Sequence, residues 1–380
     1  MSLDRIDVVV IGGGVAGLSA AISANRQGLA VLLLERDIQF GKRIKGEVIN
    51  KSAEVFKGIF GKEGLPESIN HIVFKTAKYY TPSTKKYAKR FFPTKNKIGI
   101  EYRELIKELE RVAISEGVRI KLNSEVLELI ERDEMVIGLK YQEFEQVQEL
   151  FPKLIICATG LHTKLNLPPR LKRPTNVCPA IKIIGEDLNI PDPHELEFFF
   201  LNIPGVIWIF PKPRNRAELG VTTWMNHDKH NLRSLLNEAA KIHPILKERL
   251  RRGNHIYSKN EFLAFGGPVK QTYIPNLIVV GDAMGHVGAV GGSGIVSSMT
   301  IGYHLGHLLG KRLTEKEALS LEDFQEAQRT INKSAIGKYL KKEQSSAKAM
   351  REILYNPPKS PDEIDGLWDK FKGFIESRGA

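Results

Sequence analysis

Val8, Val9, Val10 and Ile11 form an unbroken apolar run, the pattern of a parallel strand buried on both faces. Leu18, Ala20, Ala21, Ile22 and Ala24 suit a helix directly after it, and a second apolar run, LAVLLLE, ends at Glu35. Residues 101–117 place Leu105, Ile106, Leu109, Val112 and Ala113 at helical spacing. VRIKL and VLELIERDEMVIGLKY read as strands with a turn near Asp133, and KLIICATG as a buried strand stopped by glycine. Pro168, Pro169, Pro174, Pro179, Pro191 and Pro193 crowd residues 166–193, which predicts a crossing and loop region. From 195 to 224 the chain reads as an antiparallel meander turning at Asn202–Gly205 and Lys212–Arg216. A helix over about 229–250, a strand around Tyr257–Ala264 and a last buried strand in NLIVVGDAMG follow. Residues 293–312 and 321–353 read as helices. Pro357, Pro358 and Pro361 then break the chain before a terminal amphipathic helix.

Strand–helix units at both ends thus enclose an antiparallel insertion. The economical reading is an α/β dinucleotide fold built from distant segments, with a sheet domain inserted. At 380 residues the chain can bury a large core. Two cysteines, Cys157 and Cys178, exclude a disulfide framework and suit a reducing, cytoplasmic setting. No segment has the continuous apolar length of a membrane span, and MSLDRID lacks the apolar region of a signal peptide. The net charge of +12 gathers in Lys75–Lys97 and in the C-terminal third. That basic stretch reads as hairpin and turn with no recognition helix, which argues against nucleic acid. A solvated basic face is the plain account, and a peripheral contact with an anionic membrane or with a phosphorylated substrate the functional one.

Two motifs carry chemistry. Gly12, Gly14 and Gly17 spell G-x-G-x-x-G between a strand and a helix. The first glycine permits the tight turn, the second lets a pyrophosphate approach the backbone, and the third lets helix and strand pack closely. The helix N-terminus offers unpaired N–H groups to phosphate, and Glu35 suits an adenosine ribose hydroxyl. In the second motif, NLIVVGDAMGHVGAVGGSGI, a buried strand ends at Gly281-Asp282 and a glycine-rich turn opens a helix. An acid there can accept bonds from a polyol, and the helix N-terminus can stabilise negative charge.

The pair resembles the FAD-binding signature of the p-hydroxybenzoate hydroxylase-like flavoproteins. The resemblance implies an α/β fold: a Rossmann-like FAD-binding domain with a βββ insertion, a mixed or antiparallel-sheet substrate domain, and C-terminal helices. The implied FAD-binding domain spans 1–70, 98–165 and 268–315, and the substrate domain 71–97 and 166–267. Residues 316–380 form the helical segment. Non-covalent FAD is the implied cofactor. Gly12, Gly14, Val15, Ala16, Gly17, Glu35 and Arg36 take its adenosine half. Asp282, Gly292, Gly294 and Ile295 take the flavin half, the two glycines beneath the pyrimidine ring. Arg43 and Lys45 in KRIKGEVI, and Arg103, match positions that contact FAD in that family. His286, which follows the second motif, is a candidate proton donor.

GVIWIFPKPRNRAELGV is similar to the [Y/F]-x-W-x-F-P motif of geranylgeranyl reductases. That likeness implies reduction of C=C bonds of a long isoprenoid or lipid. It also implies an apolar cavity lined by Phe198, Phe200, Trp208, Phe210 and Pro211. The sequence departs from the family at several places. Val206 stands for an aromatic residue, Ala289 for a proline and Thr159 for an aspartate, and the K-x-C-G cysteine is absent. RIKGEVI resembles a segment of squalene epoxidase-like monooxygenases, and GVIWIFP a motif of flavin halogenases. An FAD monooxygenase, epoxidase or halogenase is therefore the enzyme alternative. A non-catalytic prenyl-binding escort, as in the Rab GDP dissociation inhibitors, is the non-enzyme one. No second fingerprint for a nicotinamide is present, so the electron donor is NADPH bound transiently or a reduced electron carrier. No H-E-x-x-H or C-x-x-C suggests a metal.

Overall fold

A computed structural model describes residues 6–42, 47–61, 64–94, 96–226, 230–251 and 253–377. Its helices are α1 (Val15–Asn25), α2 (Glu54–Phe60), α3 (Tyr102–Ser115), α4 (Leu232–Ile242), α5 (Pro244–Leu250), α6 (Ile295–Glu315), α7 (Leu321–Lys333), α8 (Ala335–Tyr355) and α9 (Pro361–Ser377). The architecture is the mixed α/β one that the patterning predicts. The strand Val8–Ile11 lies at the heart of a six-stranded sheet, parallel to Val31–Leu34 on one side and Leu154–Cys157 on the other. Leu277–Val279 pairs in parallel with Leu154–Cys157. All four of these strands are buried along their whole length, as a sheet covered on both faces requires. Ser124–Arg132, Met135–Glu143 and Gln146–Leu150 form a separate antiparallel three-stranded sheet.

A seven-stranded sheet makes the second layer system. Its strands run in the order Asn254–Ala264, Val177–Glu186, Arg216–Thr223, Gly205–Lys212, Glu195–Phe200, Thr76–Tyr80 and Tyr87–Phe91. Side chains alternate across it as the sequence predicts. Ile207 and Ile209 face the apolar cluster under α4 and α5, and Val206 and Trp208 the cluster under α8 and α9. A fourth sheet, Val48–Asn50, Lys97–Ile100 and His71–Val73, lies beside the seven-stranded one.

Three expectations need correction. Residues 166–193 are not all loop, because Val177–Glu186 is an inner strand of the large sheet. Pro179 is tolerated there because the ladder with Arg216–Thr223 begins only at Ala180, so the missing N–H costs no bond on that side. The helix expected over 229–250 is two, divided at Pro244, which opens α5 with His243 as its cap. The helix expected over 321–353 is also two, because Ser334 caps a new start at Ala335, its side chain accepting from the Gly337 N–H.

α1 and α6 pack side by side with unusually small residues between them. Alanine side chains at Gly302 and Gly306 would collide with the backbone carbonyls of Ala16 and Ala20. This close contact places the N-termini of both helices at one cleft, since Gly14 caps α1 and Gly294 caps α6.

Candidate functional site

The cleft, about 1490 Å³ with its open mouth included, lies between the six-stranded and seven-stranded sheets. The first glycine turn forms one wall. Gly12 has φ +101°, and a Cβ there would lie 2.7 Å from the Ala158 carbonyl oxygen, so the turn can close only with glycine. Gly14 is different, because the nearest atom to a Cβ would be the Tyr102 hydroxyl at 3.9 Å. The space over Gly14 is kept clear of protein. Gly17 faces inward, and a Cβ there would run into the Gly12 carbonyl. These are the three roles the fingerprint assigns. Glu35 accepts from the Gly13 N–H at 2.6 Å and from the Asp37 N–H at 2.9 Å, which fixes its carboxylate at the cleft wall. Arg36, Asp37 and Phe40 stand beside it.

The second motif forms the adjoining wall. Leu277–Val279 leads into a single 3₁₀ turn, Gly281–Met284, that presents Asp282 to the cleft. Gly292, at φ +64°, Gly294 and Ile295 follow at the start of α6. Neither α1 nor α6 has a side-chain cap or an acid in its first turn. Free helix N–H groups need a partner, and two uncapped N-termini aimed into one cleft form a receptor for an anionic, pyrophosphate-bearing ligand. The cradle over Gly14, the fixed Glu35 and the Asp282 turn therefore fit FAD.

The rest of the wall comes from the seven-stranded sheet and the loop after Leu154–Cys157. Lys182, Glu261, Phe262 and Leu263 line it, as do Thr159 and His162. The buried Glu261 carboxylate stands 3.0 Å from His162 Nε2, and the imidazole packs on Phe262. These residues carry no fingerprint. Only the pairing of Val177–Glu186 with Asn254–Ala264, which sets Ala180 opposite Glu261, brings them to the site.

Several expected residues lie elsewhere. His286 is buried and is not part of the cleft wall; its Nδ1 accepts from the Gly281 N–H at 3.1 Å. Burial pushes its pKa down to about 4, against the pull of Asp282, so it braces the turn as a neutral imidazole. Arg103 is exposed behind Gly41, and its neighbour Tyr102 takes the place in the wall. Arg43 and Lys45 lie outside the described residues. Trp208 does not face an open cavity. It is buried over Gly220, and its Nε1–H donates to Glu218 at 2.8 Å. Phe200 is buried against Trp224 and Trp368, and Phe198 is half-buried between Tyr79 and Phe210. Phe210 and Pro211 border only a slight indentation beside Glu47, Lys212 and Glu218. Among the described residues no cluster suited to a metal ion occurs.

Comparison with known proteins agrees with this geometry. A model of the FAD binding domain family matches residues 5–336. A digeranylgeranylglycerophospholipid reductase 2 of Methanothermobacter thermautotrophicus is 30% identical over 309 residues, which cover 77% of this chain and 74% of that one. A crystal structure of a geranylgeranyl bacteriochlorophyll reductase-like protein from Thermoplasma acidophilum superposes with a TM-score of 0.83. It is 23% identical, over 96% of this chain and 90% of that chain. The flavin-dependent brominase Bmp2 shares the fold at a TM-score of 0.74 and 18% identity, over 97% of this chain and 93% of that chain.

Proposed function

Because this chain belongs to the FAD binding domain family, we propose that it is an FAD-dependent reductase of C=C bonds in a long isoprenoid lipid. The observation that carries the cofactor side is the pair of uncapped helix N-termini sharing one cleft. The relative named digeranylgeranylglycerophospholipid reductase supports the substrate class. So does an apolar cluster that runs from the cleft residue Leu263, through Phe265 and Val290, to the aromatic face of the large sheet.

FAD bound in this cradle would supply two-electron chemistry, hydride transfer to carbon, that no side chain offers. The chain's own residues bind and orient. The α1 N-terminus takes the pyrophosphate over Gly14, Glu35 the adenosine ribose, and Asp282 the flavin-side polyol. The α6 N-terminus stabilises negative charge at the ring end. Phe262, Leu263 and Val287 keep water from that end. His162, steadied by Glu261, is one of the titratable groups of the far wall and is placed to hold a proton. Electrons enter from NADPH bound transiently or from a reduced carrier protein. Among the described residues no helix is long and apolar enough to cross a membrane.

The test is anaerobic photoreduction of the purified protein, followed by addition of a geranylgeranylated glycerophospholipid. Return of the oxidised flavin spectrum and a mass gain of two hydrogens per reduced bond are expected. Oxygen uptake with an oxygenated product would assign the protein to the monooxygenases or halogenases instead. A colourless protein that binds prenyl lipid would be an escort.

A further inference from the structure

We propose that α9 is a displaceable plug that imitates an anionic isoprenoid lipid, seated on the sheet face that the family resemblance gives to that lipid's chain. The proposal rests on the isoprenoid reading above.

One side of α9 is apolar. Ile364, Trp368 and Phe371 recur at helical spacing and are buried against Phe200, Trp208 and Trp224. The other side is acidic and meets the basic hairpin. Lys85 reaches Asp362 at 2.9 Å, Lys86 reaches Asp369 at 3.1 Å, and Ser83 bonds Asp365. An apolar body with an acidic edge, set on an aromatic face with a lysine rim, has the chemistry of a prenyl chain with a phosphate head. The face leads to the cofactor cleft. Lys182, in the cleft, is opposite Gly220, Gly220 opposite Trp208, Trp208 opposite Phe198, and Phe198 beside Tyr79. Four strand steps of about 4.8 Å make a lane of roughly 19 Å.

The hold on α9 suits exchange. Its ion pairs are exposed, and exposed pairs contribute little in water. The indole N–H groups of Trp224 and Trp368 and one Asp365 oxygen are buried without a hydrogen-bond partner, an arrangement that favours opening. An isoprenoid chain that replaced Ile364, Trp368 and Phe371 would restore their apolar contacts, while its phosphate took over Lys85 and Lys86.

The chain's three tryptophans, Trp208, Trp224 and Trp368, all belong to this one cluster, so their emission reports on it directly. Cysteines placed at Ser83 and Asp365, whose side chains touch, would be joined by a disulfide formed on mild oxidation of the full-length FAD-loaded protein. The native Cys157 and Cys178 are buried and spared. Geranylgeranyl diphosphate is then titrated and followed by tryptophan emission and by equilibrium dialysis. We expect affinity to fall by at least ~tenfold in the joined protein, since the open fraction shrinks, with FAD content unchanged. The double variant Asp362→Lys/Asp369→Lys, which needs no cross-link, should bind more tightly than the unmodified protein at low salt. Equal affinity in all three forms would overturn the plug and leave the isoprenoid reading standing. No binding of the prenyl probe in any form, with FAD in place, would overturn both.

Discussion

A glycine's place is set by what its missing side chain would touch, and the first turn contains two kinds. Gly17→Ala drives a methyl into the Gly12 carbonyl and should lower the stability of the apoprotein by about 1–3 kcal/mol. Gly14→Ala puts the same methyl into clear space. It should leave the apoprotein's melting curve unchanged and weaken FAD binding at least ~tenfold, about 1.4 kcal/mol. Calorimetry and flavin fluorescence separate the two, and a stable Gly17→Ala would refute the packing role. His286 makes a pH prediction. Its folded pKa is depressed to about 4 from 6.5 by burial, so the unfolded chain takes up the proton first as pH falls. The contribution is complete above pH 6.5 and lost towards pH 4, by about 3 kcal/mol at most. Urea unfolding at pH 7 and pH 4.5 should therefore show a smaller difference for His286→Gln than for the native protein; an equal difference would remove His286 from the account. The sequence shows that His286 and His162 both follow glycine-ended strands, but not which one the fold covers. Likewise, alternation in GVIWIFP shows that Val206 and Trp208 share a face, and only the position of α9 shows what lies on it.

The clearest element is α6, whose existence and start follow from a strand, a glycine-rich turn and an apolar helical run. Less legible is its row of glycines, Gly302, Gly306 and Gly310, spaced four apart. That spacing is a helix face, but the partner face, Ala16, Ala20 and Ala24 of α1, lies far away in sequence. The row keeps the two helix N-termini together. Gly306→Ala, whose methyl would meet the Ala20 carbonyl, should therefore lower both stability and FAD affinity although it lies three turns from the cleft. Thermal unfolding with and without added FAD tests this; a variant with native affinity would show that the helices are positioned by their strands alone. α8 adds a contact that no motif announces. The Glu343 carboxylate accepts from the Val290 N–H at 3.1 Å, and Tyr339 bonds Ser293 at 2.7 Å. The loop between Asp282 and α6 thus leans on a helix that reads in sequence as a plain C-terminal segment. Pro179 and Pro244 misled in opposite ways. The first sits where the ladder with Arg216–Thr223 has not begun, and the second starts a helix that periodicity alone would fuse to its neighbour.

For the whole molecule, charge proved the least legible property. The basic stretch 75–97 stands out in the sequence, yet much of it is met within the chain. Lys78 and Lys89 pair with Glu195, and Lys85 and Lys86 with acids of α9. Pairing over such distances has no local signal, whereas the division into a parallel sheet and an antiparallel meander has one, because glycine-ended apolar runs and strands joined by short turns differ in pattern along their own length. The order of the central sheet carries a further consequence, one of timing. Val8–Ile11 waits for Leu154–Cys157, which in turn waits for Leu277–Val279. Gly12 and Asp282, the two ends of the cradle, are about 270 residues apart, on the order of 10–50 s of synthesis at ordinary rates. During that interval the nascent chain displays an apolar strand with one neighbour and a phosphate-binding turn with no floor. A chain able to hold FAD between both helix N-termini therefore exists only once synthesis has passed Ile295. Free FAD in the cell meets either a completed cradle or none.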